Sequence, residues 1–135
     1  MKRHLILCLL ILLSNKLLAQ NDSIPKKEIV ARQKSETISI INLIANPEKY
    51  DGKRISISGY MVVEFEGTAI YLSRDDFDNR IYKNGIFLSL NTDLNNFRIY
   101  HKEFVTLDGT FSIRKGHMSL FSGELLNVNY IRKKR

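Results

Sequence analysis

The sequence predicts a mainly β fold: a small antiparallel barrel of five to six strands with one capping helix placed before the first strand. Three observations point to it. Residues 54–66 and 105–113 alternate apolar and polar side chains with the period of two that a half-buried strand requires, and each run carries a glycine, Gly59 or Gly109, at an inward position. Shorter alternating runs, bounded by turn residues, lie between and after them. One brief stretch of helical spacing precedes them all.

The chain opens with Lys2 and Arg3, an apolar run from Leu5 to Leu13, and a polar stretch closing on Leu17-Leu18-Ala19-Gln20. That run is far shorter than the roughly 20 residues that cross a bilayer, so residues 1–20 are expected to be a cleaved export signal. The mature protein is then periplasmic or secreted and keeps no transmembrane segment. Its only cysteine, Cys8, leaves with the signal, which excludes disulfide, thiol-nucleophile and zinc-thiolate chemistry together. An exported domain of this kind must stand on its core, and 44% hydrophobic with 10% aromatic residues is ordinary globular composition.

The formal charge of +7 also shrinks on cleavage, because losing Lys2, Arg3 and Lys16 leaves 18 basic against 14 acidic residues. Much of the excess sits at the ends: Lys26, Lys27, Arg32 and Lys34 before the domain, and Arg132-Lys133-Lys134-Arg135 after it. A nucleic-acid partner wants a basic stripe across a face and is not expected here. The basic tail, residues 132–135, reads as a solvated terminus able to make weak contact with anionic lipid.

Residues 21–36 are polar and charged, carry Pro25 and lack apolar periodicity, so they read as a linker, and the barrel domain is placed at 37–131. Thr37 or Ser39 can cap a helix whose Ile40, Leu43 and Ile44 share one face, and Asn46-Pro47 ends it because the residue before proline avoids helical angles. The first strand follows from Arg54 to Glu66, with Ile55, Ile57, Gly59, Met61, Val63 and Phe65 inward. Thirteen residues at about 3.3 Å each is more than twice a usual strand, so a bend is expected at Gly59.

Glu66-Gly67-Thr68 turns the chain into a second strand, residues 69–73, with Ile70 and Leu72 inward. A charged excursion, 74–83, separates it from a third strand at 85–90. Residues 91–101 form a long connection that Leu94 and Phe97 can anchor. The fourth strand repeats the first in miniature, with Val105, Leu107, Gly109, Phe111 and Ile113 inward. Arg114-Lys115-Gly116 is a turn, and residues 117–131 read as a last strand or pair of strands with a bulge or break at Gly123.

Five short strands, two with central glycines, and one plugging helix describe the oligonucleotide/oligosaccharide-binding (OB) architecture, with a small open β-sandwich as the other solution. The OB helix ordinarily lies between the third and fourth strands, where this chain offers an asparagine-rich segment, so the helix before the first strand is expected to take its place. The stretches 43–53, 64–67 (Glu-Phe-Glu-Gly) and 116–123 (Gly-His-Met-Ser-Leu-Phe-Ser-Gly) resemble those of a group of uncharacterised exported bacterial proteins. Residues 50–60, Tyr-Asp-Gly-Lys-Arg-Ile-Ser-Ile-Ser-Gly-Tyr, resemble the opening strand of exported bacterial OB domains. The resemblance implies a barrel and a bacterial origin and carries no activity with it, since OB barrels host unrelated functions.

No residue pattern names a reaction. Asp75, Asp76, Asp78 and Asn79 are the densest acidic cluster, but their spacing misses the EF-hand loop and Arg74, Arg80 and Lys83 can neutralise them, so a solvated loop capping a helical turn is expected. His117 opens the last strand with no serine elbow or second histidine close in sequence to complete a catalytic team. Tyr60, Tyr71, Phe87, Phe104 and Phe121 fall on outward parities; at least half of them are assigned to packing under the helix and long loops, the rest to a binding face. The expected function is a non-enzymatic binding module for a small ligand, glycan or envelope protein, with no cofactor and no metal. Its expected face is Tyr71, Arg74, Asp75, Lys83 and His117, where the charged excursion and the last turn could meet. A small metal-assisted hydrolase using His117 with Asp75 or Asp76, and a structural role in an envelope assembly, are the competing expectations.

Overall fold

A computed structural model describes residues 34–90, 93–114 and 119–134 of the chain. The signal, most of the linker, the turn at 115–116 and His117 lie outside the described residues. From Gln33 onward the chain forms one compact unit.

Strand β1 (Glu36–Thr37) pairs in parallel with the start of β2 (Arg54–Val62), and the Ser35 hydroxyl donates to the Asp108 carboxylate at 3.1 Å. The chain is therefore already part of the barrel one residue before the domain start read from sequence. Helix α1 (Ile40–Ala45) begins at Ser39, whose hydroxyl accepts from the Asn42 N–H at 3.1 Å, one of the two caps expected. It stops before Pro47, which instead opens a single-turn helix, α2 (Pro47–Tyr50). Six residues cannot hold a helix in water by themselves. What holds α1 is burial of Ile40 and Leu43, worth about 2 kcal/mol each against exposure.

The remaining strands are β3 (Ala69–Tyr71), β4 (Gly85–Leu88), β5 (Glu103–Ser112) and β6 (Glu124–Lys133). They run in the order β2-β3-β4-β6-β5, and β5 pairs back onto β2, which closes an OB-like barrel of five strands with β1 as an extra. The expected purely antiparallel sheet is corrected to a mixed one. Both β1–β2 and β4–β6 pair in parallel; β4 lies beside β6 rather than beside its sequence neighbour β5. Only pairing across the barrel settles this direction; alternation is the same in either case.

The barrel encloses Ile55, Ile57, Met61, Ile70, Ile86, Leu88, Val105, Leu107, Phe111 and Leu125, closed at one end by α1. The 91–101 connection supplies a 3₁₀ helix, Leu94–Tyr100, whose Leu94, Phe97 and Tyr100 pack on that core, so the position between third and fourth strands is filled as well. Gly59 lies where β2 gains β3 as a neighbour, its pairing with β3 starting at Tyr60. β6 starts directly after Gly123, the expected break, and the register slips between Asp108 and Thr110 around Gly109.

Three inward assignments fail. Phe65 (89% exposed), Leu72 and Ile113 all face outward. Each lies just past the end of a ladder: β2 stops at Val62, β3 at Tyr71 and β5 at Ser112, short of the ends read from sequence. Alternation continues in the sequence, but without a pairing partner nothing holds the backbone extended, and parity stops reporting on orientation.

Candidate binding face

Outside the barrel lies a second, smaller core of Tyr60, Val62, Ala69, Tyr71 and Phe121, with Phe77, Tyr82 and Phe87 packed against it. Its rings form a connected series: Tyr60 to Phe77 at 6.3 Å, Phe77 to Tyr71 at 5.5 Å, Tyr71 to Phe121 at 6.1 Å, and Phe121 to Tyr82 and Phe87 at 5.9 and 5.7 Å. At least half of the outward aromatics are packed, as expected. Tyr60, Tyr71 and Phe121 are buried, Phe87 is half-buried and Phe104 is 45% exposed.

The cover is the charged excursion itself. It folds as a short helix, α3 (Arg74–Asp78), and a 3₁₀ turn, Tyr82–Asn84. Ser73 caps α3 by accepting from the Asp76 N–H at 3.1 Å, and the Asp76 carboxylate accepts from the Ser73 hydroxyl and from the Asn84 amide at 2.6 Å. Burial alone would push the Asp76 carboxyl up, but these hydrogen bonds outweigh it and hold the group below the usual carboxylate value. The acidic cluster, expected as a solvated loop capping a helical turn, is instead the body of a short helix capped by Ser73, with Asp76 buried. Among the described residues no group of three or more His, Cys, Asp or Glu is placed to hold a metal ion.

Of the expected site residues, Tyr71 is 2% exposed and serves as the floor under α3. Arg74 is exposed and pairs with Asp78 at 3.2 Å, a surface contact worth a few tenths of a kcal/mol. The exposed Asp75 carries its carboxylate on the outside of α3 while its backbone C=O accepts from Asn79 at 2.8 Å. Lys83 donates to the Ser119 C=O at 3.2 Å, and the Ser122 hydroxyl donates back to the Lys83 C=O at 2.6 Å, so the excursion and the segment before β6 do meet. The structure brings Tyr71, Arg74, Asp75 and Lys83 onto one side of the barrel; His117 lies outside the described residues.

Burial raises the Tyr71 phenol to about 12, with the nearby Tyr82 and Glu64 adding to the effect. A raised phenol pKa adds stability that is complete below the ordinary value near 10 and is lost as pH climbs through the folded value. Spectrophotometric titration should therefore show a tyrosine step near pH 12, with near-ultraviolet signal lost between about pH 10 and 12. In Tyr71→Phe that late step is absent.

Sequence reasoning placed the β2–β3 turn at Glu66-Gly67-Thr68 and missed that it begins at Val63, since β2 ends at Val62 and β3 starts at Ala69. The Thr68 hydroxyl donates to the Glu64 C=O at 2.6 Å and accepts from the Glu64 N–H at 3.1 Å. The Val63 N–H donates to His101 Nδ1 at 3.1 Å, which places the proton of the neutral ring on Nε2. These bonds clamp a turn that projects Phe65 into solvent beside a groove of about 230 Å³ lined by Phe87, Leu90, Leu94, Thr68 and Ser89. The signal was legible in Glu64-Phe65-Glu66-Gly67: an aromatic between two carboxylates and before a glycine belongs to a turn rather than to a core.

Fold and face together define an OB-like barrel whose outer β3–β4 sheet is roofed by its own inserted helix. No protein family, curated protein or solved structure matches the chain.

Proposed function

We propose that the protein is an exported, non-enzymatic binding module that takes a ring-sized group, a sugar or an apolar side chain of an envelope protein, at the β2–β3 turn. The observation that carries this reading is Phe65, almost fully exposed on a turn held at both ends by hydrogen bonds. An exposed aromatic has no reason to be fixed in place by packing, and fixing it in advance lowers the ordering cost of binding. The adjoining groove adds apolar walls from Phe87, Leu90 and Leu94 with the Ser89 hydroxyl at the side. Tyr71, near enough to Glu64 of the turn to feel its charge, supports it from below, whereas Arg74, Asp75 and Lys83 belong to the roof and line no part of this groove. Export rests on the basic and apolar start of the sequence and places the partner in the periplasm or at the cell surface.

The test is thermal unfolding of the full chain against oligosaccharides and peptides, followed by pull-down from envelope extracts, for the wild type and Phe65→Ser. A ligand held by the native state raises the midpoint by mass action. Phe65→Ser is expected to change intrinsic stability by less than about 0.5 kcal/mol, as a surface substitution does, and to abolish the shift and the capture. Retention of both by Phe65→Ser would exclude the turn as the site.

A further inference from the structure

We propose that the outer face at the β5–β6 junction docks this protein on an anionic phospholipid surface. The register brings the necessary groups together. Phe104 of β5 stands opposite Tyr60 of β2 on one side, and on the other its C=O accepts from the Lys134 N–H at 2.8 Å; Thr106, two residues on, stands opposite Arg132. Cross-strand partners and residues two apart share a face, so Phe104, Arg132 and Lys134 project from the same side of the barrel. Lys102, in the turn before β5, flanks them, its N–H held by the Met61 C=O at 2.8 Å and its ammonium 5.9 Å from the Phe77 ring.

Two features make this more than a solvated tail. Glu103 at this edge is matched by Lys133 at 2.9 Å, and among the described residues Lys102, Arg132 and Lys134 form no ion pair. Phe104 stays 45% exposed even though its ring meets Tyr60 at 5.6 Å. Three cations around one exposed ring match a headgroup layer: the cations meet lipid phosphates and the ring enters the boundary with the acyl chains. A single-stranded nucleic acid would need successive free rings, and the neighbouring Tyr60 is only 6% exposed.

The experiment is co-sedimentation of the full chain with phosphatidylcholine vesicles and with mixed phosphatidylcholine/phosphatidylglycerol vesicles. The apolar run Leu5–Leu13 contributes to both, so the reading is the preference for the anionic vesicles. Wild type is expected to show that preference, Arg132→Gln/Lys134→Gln to weaken anionic binding on the order of tenfold or more, and Phe104→Ser to weaken it several-fold. Lys49→Gln/Lys53→Gln, which removes equal charge near the opposite end of β5, is expected to leave it unchanged. Equal binding to both vesicle types, equal loss in the control pair, or no effect of Phe104→Ser would overturn the proposal. So would a soluble polyanion that binds more tightly than the vesicles at matched ionic strength with the same dependence on Arg132 and Lys134.

Discussion

Phe111→Ala is expected to cost about 3–5 kcal/mol, the range for removing a fully buried ring, and to lower Tm by roughly 15–25 °C in a domain of this size. The ring is wholly buried, and its edge occupies the space that Gly123 leaves empty: a methyl group on Gly123 would stand 2.4 Å from Cε2. Alanine therefore opens a void that the opposing chain cannot fill, since it has no side chain there to move. The backbone of Phe111 also bonds Lys53 and Gly52, each at 2.9 Å, and ties the α2–β2 turn to β5. Those bonds survive the substitution, so the loss reads packing alone. Urea midpoints for the wild type, Phe111→Leu and Phe111→Ala should fall in that order, and a loss under about 1 kcal/mol for alanine would show that this ring does not fill the core as described.

Gly59→Ala is expected to destabilise by about 3 kcal/mol, at the upper end for overpacking. A Cβ there would lie 2.4 Å from the Tyr71 carbonyl oxygen, 2.8 Å from Ile40 Cδ1 and 2.9 Å from Ile70 Cγ1. The Ile40 tip can rotate away, but the carbonyl belongs to β3 and moves only with the ladder. Combining Gly59→Ala with Ile40→Val should therefore recover a minor part of the loss. Recovery of nearly all of it would mean that α1, not the β2–β3 pairing, sets the limit at this position.

Both sites show how much was legible beforehand. Glycine at an inward position of an alternating run marked Gly59 as a place where the strand had to bend, and interrupted parity marked Gly123 as a bulge or break. What came close was not legible, because Tyr71 and Phe111 approach from the neighbouring strands β3 and β5, whose register the sequence does not show. The same division runs through the binding face. Outward parity identified Tyr60, Tyr71, Phe87, Phe104 and Phe121, and the need for an apolar floor assigned at least half of them to packing, but the roof proved to be α3 rather than the first helix. Phe65 was misassigned for a related cause. Its alternation with Val63 and Met61 is intact, and only the end of the ladder at Val62 releases it.

By itself the sequence determined a mainly β domain, the places of β2 to β5, a helix capped at Thr37 or Ser39 and its stop at Asn46-Pro47. All of these depend on interactions within a few residues, where periodicity and capping chemistry act directly. Strand direction, the closing pair β2–β5, the second core and the end of the β2 ladder at Val62 were decided only by the tertiary structure. Each depends on which distant strand supplies the neighbouring hydrogen bonds, and a period of two reads the same whether that neighbour runs parallel, antiparallel or is missing.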